Sequence, residues 1–328
     1  MTARVGTPAV RLAVHLGPDD LTAALRRDVL TGLLGQPKEL PPKWLYDERG
    51  CELFDEITRL REYYPTRRER SILEVFAGQI AATTKADTLI ELGSGTSDKT
   101  RLLLDALART GTLRRFAPFD VAESTLRAAS VGILSEYPGI EIDGVVGDFE
   151  RHLSHLPTGG RRLVAFLGGT IGNLEPPARA RLLGDLAAAL EPGDTFLLGT
   201  DLLKSRARLI AAYDDTAGVT AAFNRNLLEV LNRRLGAHFD PNGFEHVARF
   251  DEHNSWIEMR LRSPDPQRVT IDELGIEVGF DAGEDLRTEI STKFTRHGVR
   301  CELEAAGFEP LGWYTDPAGD FALTLARR

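Results

Sequence analysis

The chain has 328 residues, a formal net charge of −9 and a pI near 5.4, with 42% hydrophobic and 27% charged residues. This is an ordinary balance for a globular protein, long enough for one large or two smaller domains, and its acidity disfavours action on nucleic acid. No apolar run approaches the roughly 20 residues of a membrane span, and the two cysteines, Cys51 and Cys301, form no metal-ligand spacing and fit a reducing cytoplasm.

The first residues, MTARVGTPAVRLAVHLGPDD, carry charges throughout and lack a continuous apolar stretch, so 1–17 reads as a flexible tail and not as a signal peptide. Leu21, Leu25, Val29 and Leu33 recur four apart, which predicts an amphipathic helix over 18–35 stopped by Gly35. Pro37, Pro41 and Pro42 break the next stretch before KWLYDERGCELFDEITRL resumes a helical pattern. Tyr63-Tyr64-Pro65 ends that unit, and a helix is expected over about 68–83.

From residue 88 strands and helices alternate. The strands are expected at 88–92, 116–119, 140–146, 162–167 and 195–199, with helical patterns at 98–109, 123–136 and 176–190. Such alternation predicts a parallel sheet with right-handed crossovers. After Asp201 the rhythm breaks: helical patterns at about 203–215 and 218–234 precede a strand-rich stretch from 244 to 280. The end, GFEPLGWYTDPAGDFALTLARR, reads as two strands joined by a D-P-A-G turn. Parallel strands closed by an antiparallel hairpin resemble the class I (Rossmann-like) methyltransferase sheet. The α/β core then covers 69–201 and 294–328, while 18–68 and 202–293 make a second, α+β, substrate-binding domain.

In open α/β sheets ligands sit beyond the carboxyl ends of the strands. The first strand is followed by Gly93-Ser94-Gly95, where G-x-G-x-x-D lacks the third glycine of the dinucleotide fingerprint and so points to a cofactor without phosphates. Asp120 ends the second strand, placed to accept from both hydroxyls of a ribose. Asp148-Phe149 follows the third, a polar group beside an aromatic ring that suits an adenine edge and face. Gly168-Gly169-Thr170-Ile171-Gly172-Asn173 follows the fourth. Together they indicate S-adenosylmethionine ahead of a nicotinamide nucleotide.

The chain resembles the histidine Nα-methyltransferases of ergothioneine biosynthesis, S-adenosylmethionine-dependent enzymes that convert histidine to its trimethylbetaine, hercynine. The resemblance runs through LPPKWLYD, FDEITRLREYYPTR, ELGSGTSDKTRLLLDA, PFDVAESTLR, YPGIEID, GDFE, FLGGTIGNL, LLGTDLLK, AYDDTAGVTAAFNRN, TEISTKF and TDPAGDFAL. It implies cofactor contacts at Gly93, Lys99, Asp120, Asp148 and Phe149, with Lys99 on the methionine carboxylate. It implies substrate contacts at Tyr46, Tyr63, Asn173, Tyr213, Met259, Glu289 and Ser291. Tyr63, Asn173 and Tyr213 would take the substrate carboxylate, Tyr46 and Asn173 would act at the α-amine, and Glu289 and Ser291 would hold the imidazole. Neither a metal nor a membrane or nucleic-acid partner is implied, and a monomer is expected.

The residues themselves add one point. In an extended 287–293, Glu289 and Ser291 are two apart and share a face, where a carboxylate and a hydroxyl can together engage the two imidazole nitrogens. A methyltransferase for another amino acid or amine, and a cofactor-binding module without turnover, are the alternatives.

Overall fold

The computed structural model describes residues 10–328. The expected flexible tail over 1–17 is corrected at its second half. Val10–Val14 forms strand β1, which pairs in parallel with residues 142–146, and residues 1–9 lie outside the described residues. The physical reason is a vacant sheet edge and a glycine: Leu12 packs where a Cβ at Gly144 would come within 2.6 Å of it.

Helix α1 (Pro18–Leu34) opens on Pro18 and buries Ala24, Leu25, Val29 and Leu33. After β2 (Lys38–Glu39), Pro42–Leu45 forms one 3-10 turn, and Asp47 caps α2 (Glu48–Arg59) by accepting from Gly50 N at 2.8 Å. Pro65 starts α3 (Pro65–Thr84), three residues before the helix was expected, because proline suits the first helical position. The alternating region then follows the expected order: β3 (Thr88–Leu92), α4 (Thr100–Arg109), β4 (Arg115–Asp120), α5 (Glu123–Glu136), β5 (Glu141–Val146), β6 (Arg162–Phe166), α6 (Pro176–Ala189) and β7 (Thr195–Asp201). Helices α7 (Arg206–Tyr213) and α8 (Val219–Leu235) lead into β8 (Glu245–Asp251), β9 (Trp256–Arg262), β10 (Gln267–Ile271), β11 (Ile276–Phe280) and β12 (Asp285–Thr292). Helix α9 (Arg296–Ala305) and the hairpin of β13 (Glu309–Thr315) and β14 (Phe321–Arg327) complete the chain.

The large sheet has the order β1-β5-β4-β3-β6-β7-β14-β13. Strands β1 to β7 of this sheet pair in parallel, and β14 is antiparallel to both β7 and β13. The chain progresses outward from β3 in one direction and then, through β6, in the other, which opens a crevice at the carboxyl ends of β3 and β6. A second sheet has the order β2-β12-β9-β8, and β10 pairs with β11.

Three apolar cores follow this division. One gathers Leu25, Trp44, Tyr63, Phe223, Met259 and Phe280 between α1, α2, α8 and the small sheets. The other two cover the opposite faces of the large sheet, with Leu73, Leu104 and Leu323 on one and Leu92, Leu183 and Phe294 on the other. The small sheet meets the large one through β12: Phe294 N donates to Asp201 O at 2.8 Å and Leu203 N to Phe294 O at 2.9 Å. Among the described residues no helix is long and apolar enough to cross a membrane.

Candidate active site

The glycine loop after β3 is built by its backbone. Gly93 and Gly95 have φ of 67° and 48°, a region side chains avoid, and a Cβ on either would meet nothing within 4 Å. The loop is tied to β4, with Gly93 N and Ser94 N donating to Phe119 O at 2.8 and 3.1 Å. Asp120 Oδ2 accepts from Gly95 N at 2.9 Å and Oδ1 from Ala122 N at 3.0 Å, so each carboxylate oxygen keeps a lone pair for a further donor. Burial raises the Asp120 carboxyl above its usual range, opposed by these backbone donors.

Asp148 Oδ1 accepts from Glu150 N at 2.9 Å, and its own N–H donates to His152 Nδ1 at 3.0 Å. Phe149 stands edge-on to Phe166 with centroids 5.1 Å apart. Between Asp148 and Val121 lies a small cavity of about 40 Å³, lined also by Leu16, Leu21 and Trp44. Lys99 is placed differently from a bare surface lysine. It forms an ion pair with Glu69 of α3, which is fully buried and also accepts from Gly168 N at 2.8 Å. Glu69 thereby joins the loops after β3 and β6.

These features fit an adenosyl sulfonium cofactor. Ser94 Oγ, inside the glycine loop, is buried without a hydrogen-bond partner among the described residues, and Asp120 offers the two acceptor positions a ribose diol needs. Strong cations, which a pyrophosphate would call for, are not supplied by the loop itself: Gly93-Ser94-Gly95-Thr96-Ser97-Asp98 carries none.

The residues expected at the substrate come from six separate segments. Tyr46 follows the 3-10 turn at Pro42–Leu45 and is fixed by the Asp47 cap, to which Asn226 Nδ2 also donates at 2.6 Å. A Cβ at Gly50 would lie 1.7 Å from Leu45 O, so glycine there lets α2 start directly against that turn. Tyr46 packs edge-on to Phe54 and Phe223 at 5.4 and 5.3 Å, Phe54 to Tyr63 at 6.0 Å, and Tyr63 to Tyr213 at 6.3 Å. Glu289 stands on β12 opposite Met259 of β9, just after a β-bulge between Arg287 and Glu289. Ser291 Oγ is 2.8 Å from Tyr213 Oη. Asn173 ends the turn Thr170–Asn173, which reaches β12 closely enough that a Cβ on Gly172 would lie 3.1 Å from Thr292 O.

Burial, then the Glu289 charge, pushes the Tyr46 phenol well above its usual range. Tyr63 and Tyr213 are raised in the same way, with burial the leading cause and Glu289 contributing to both. All three therefore stay neutral phenols near pH 7, and none is a base there. Burial pushes Glu289 up to about 7, partly offset by Lys293. Among the described residues, the Tyr46 and Tyr63 hydroxyls, the Asn173 amide and the Glu289 carboxylate make no side-chain hydrogen bond. Tyr46 and Asn173 are half-buried, so these groups are not sealed off and remain available to a ligand of matching donors and acceptors.

A model of the histidine-specific, S-adenosylmethionine-dependent methyltransferases matches residues 25–328. The chain belongs to this family. It is 56% identical over 319 residues to the histidine N-alpha-methyltransferase of Mycobacterium tuberculosis (strain CDC 1551 / Oshkosh), covering 97% of this chain and 99% of that protein. With the histidine N-alpha-methyltransferase of Mycolicibacterium smegmatis (strain ATCC 700084 / mc(2)155) it shares 57% identity over 317 residues, covering 97% and 99%. Ergothioneine biosynthesis protein 1 of Schizosaccharomyces pombe (strain 972 / ATCC 24843) is 30% identical over 328 residues, 95% of this chain but 40% of that longer protein.

The expected site residues do not include four charged residues that pack against these groups: Glu69, Asp201, Lys204 and Lys293. Asp201 ends β7, so the rule that singled out Asp120 at the end of β4 applies to it equally. Lys293 continues the alternation of Glu289 and Ser291 by two residues. Tyr64 is buried and donates to Asp201 at 2.8 Å. A cleft of about 580 Å³ lined by Lys85, Asp87, Arg114 and Arg161 opens at the amino ends of the strands, away from all of these groups.

Proposed function

We propose that this protein transfers methyl groups from S-adenosylmethionine to the α-amino group of L-histidine, three in succession, giving hercynine as the first step of ergothioneine biosynthesis. The observation that carries this reading is the pairing of Glu289 and Ser291 on one face of β12, beside tyrosines and an asparagine whose polar groups lack partners. In a histidine-specific methyltransferase, that face suits an imidazole.

In this reading Gly93, Lys99, Asp120, Asp148 and Phe149 hold the cofactor, with Asp120 on the ribose and Asp148-Phe149 on the adenine. Residues 18–68 and 202–293 form the substrate-binding domain. Tyr63, Asn173 and Tyr213 receive the substrate carboxylate, Glu289 and Ser291 the imidazole, with Met259 against it, and Tyr46 and Asn173 meet the α-amine. The bound cofactor supplies a sulfonium methyl that is already a strong electrophile.

The protein's task is then alignment and exclusion of water. The attacking amine must be neutral. Tyr46, held as a phenol, accepts an amine N–H through its oxygen and does not remove the proton. Each methyl added deletes one N–H donor, until the product has none. Aromatic faces tolerate that change better than fixed acceptors, because a quaternary ammonium still binds to a ring. Tyr46, Phe54, Tyr63 and Phe223 supply such faces. The enzyme acts on free histidine as a monomer in the cytoplasm, and two free thiols, Cys51 and Cys301, support the reducing compartment.

Mass spectrometry of the product formed from histidine and S-adenosylmethionine tests this. Trimethylated histidine is the expected product. Methylation of a different amino acid, with histidine left untouched, overturns the substrate assignment.

A further inference from the structure

Behind the tyrosines lies a buried charge cluster at the seam between the two sheets. Lys293, whose side chain is fully buried, places Nζ 2.8 Å from Tyr213 Oη, 2.8 Å from Ser291 Oγ and 2.9 Å from Asp201 Oδ2. Its three N–H donors are thus all engaged, and it does not itself reach a ligand. Asp201 also accepts from Lys204 at 2.6 Å and from Tyr64. Two ammonium groups around one carboxylate leave the cluster with a net positive charge. Asp320, the next acidic neighbour of Lys204, is taken up by Arg208 and Arg68. Glu289 faces Lys293, and because burial raises it to about 7 it offsets only about half of that charge near neutral pH.

A buried positive charge without an equal anion is unfavourable unless an anionic ligand completes it. We propose that Lys293 is the positioning residue that makes this site selective for a free α-carboxylate, by donating to Tyr213 Oη and Ser291 Oγ and strengthening the Tyr213 hydroxyl as a donor. This rests on the reading that the substrate carboxylate sits at Tyr213.

The hydrogen count shows how it works. With Lys293 donating to both oxygens, Tyr213 and Ser291 hold two hydroxyl hydrogens between them. One closes the 2.8 Å Tyr213–Ser291 bond and the other is free for the cavity. A carboxylate is a stronger acceptor than a serine hydroxyl, so it draws the Tyr213 hydrogen, Ser291 closes the bond in return, and the Ser291 oxygen keeps one lone pair to accept from an imidazole N–H. An oxygen that accepts from an ammonium also donates more strongly. Lys293 therefore acts on the carboxylate through Tyr213, without touching it.

The test is binding of histidine and of histidinamide, its neutral isostere, to the protein saturated with S-adenosylhomocysteine, measured by calorimetry. The quantity read is the ratio of the two affinities. Lys293→Gln keeps Asp201 paired with Lys204 and Tyr64, and it is expected to cut the histidine preference by roughly tenfold while leaving histidinamide affinity within about threefold. A purely structural role would lower both affinities together. If Lys293→Gln keeps the preference and Tyr213→Phe loses it, the role of Lys293 is overturned alone. If both keep it, the carboxylate does not sit at Tyr213, and that reading falls with the proposal.

Asp201→Asn provides an arm that leaves Lys293 in place. Removing the nearest anion is expected to widen the preference for histidine several-fold. An unchanged or narrower preference in that variant overturns the proposal even if Lys293→Gln does not fold.

Discussion

The two halves of the site treat their polar groups in opposite ways. On the proposed cofactor side the charged groups are tied to the protein, with Ser94 Oγ left open: Asp120 to Gly95 and Ala122, Lys99 to Glu69, and Glu69 to Gly168. On the substrate side the groups facing inward, Tyr46, Tyr63, Asn173 and Glu289, have no such partner among the described residues. The order there lies one layer back, in Lys293, Asp201, Lys204 and Tyr64. A rigid backbone loop can be shaped in advance for a cofactor that is identical in every turnover. A substrate that changes its hydrogen-bonding capacity three times suits groups left open in front and fixed from behind.

The sharpest way to break that contrast is Glu289→Ala. It is expected to raise the Michaelis constant for histidine about a hundredfold or more, because an imidazole N–H then lies buried without an acceptor, while cofactor affinity stays nearly intact. Unchanged histidine turnover would remove the imidazole assignment.

Next in size is a stability effect at the same residue. Burial raises Glu289 from 4.5 to about 7 in the folded chain. The folded state therefore binds this proton more tightly, so the contribution of Glu289 to stability is greatest below pH 4.5 and falls as pH rises through 7. Glu289→Gln removes this loss. It should stabilise the protein at pH 8 by up to about 3 kcal/mol relative to its effect at pH 4.5, read as a pH-dependent gap between the two denaturation curves. A gap that is the same at both pH values would show that the carboxyl is not buried as described.

Asp120→Ala probes the other half. Cofactor affinity should fall roughly tenfold or more, since the variant loses the ribose acceptor and leaves Gly95 N and Ala122 N without theirs. The histidine constant at saturating cofactor should move little. Equal losses on both sides would erase the distinction between the halves.

The smallest effect is expected from Gly172→Ala. The added methyl meets Thr292 O at 3.1 Å, which pushes the Asn173 turn off β12 by a few tenths of an ångström. A rise of about threefold in the histidine constant, with little change in melting temperature, is the expected outcome. A drop in melting temperature without a kinetic change would make Gly172 a packing residue only.

Much of this was legible from residue patterns, and the reason is range. Strands β3 to β7 and helices α4 to α6 follow from local hydrophobic periods, and the terminal hairpin from its D-P-A-G turn. Gly93, Asp120 and Asp148 follow from the rule that ligands meet strand ends. The strand at Val10–Val14 was hidden although Val10, Leu12 and Val14 alternate with Arg11, Ala13 and His15, because five residues at a sheet edge form a strand only through their neighbour, here β5. The pairing of Lys99 leaves no local signal because its partner, Glu69, belongs to another helix.

What the sequence determined by itself is therefore the parallel sheet, its crossovers and the loops at its carboxyl ends, since each depends on residues a few positions apart. Tertiary structure alone decided which side chains meet: Tyr46, Tyr63, Asn173, Tyr213 and Glu289 converge from segments far apart in the chain. It also decided their charge. Burial raises Glu289 to about 7 and keeps the tyrosines as phenols, because it removes the water that would otherwise set those properties.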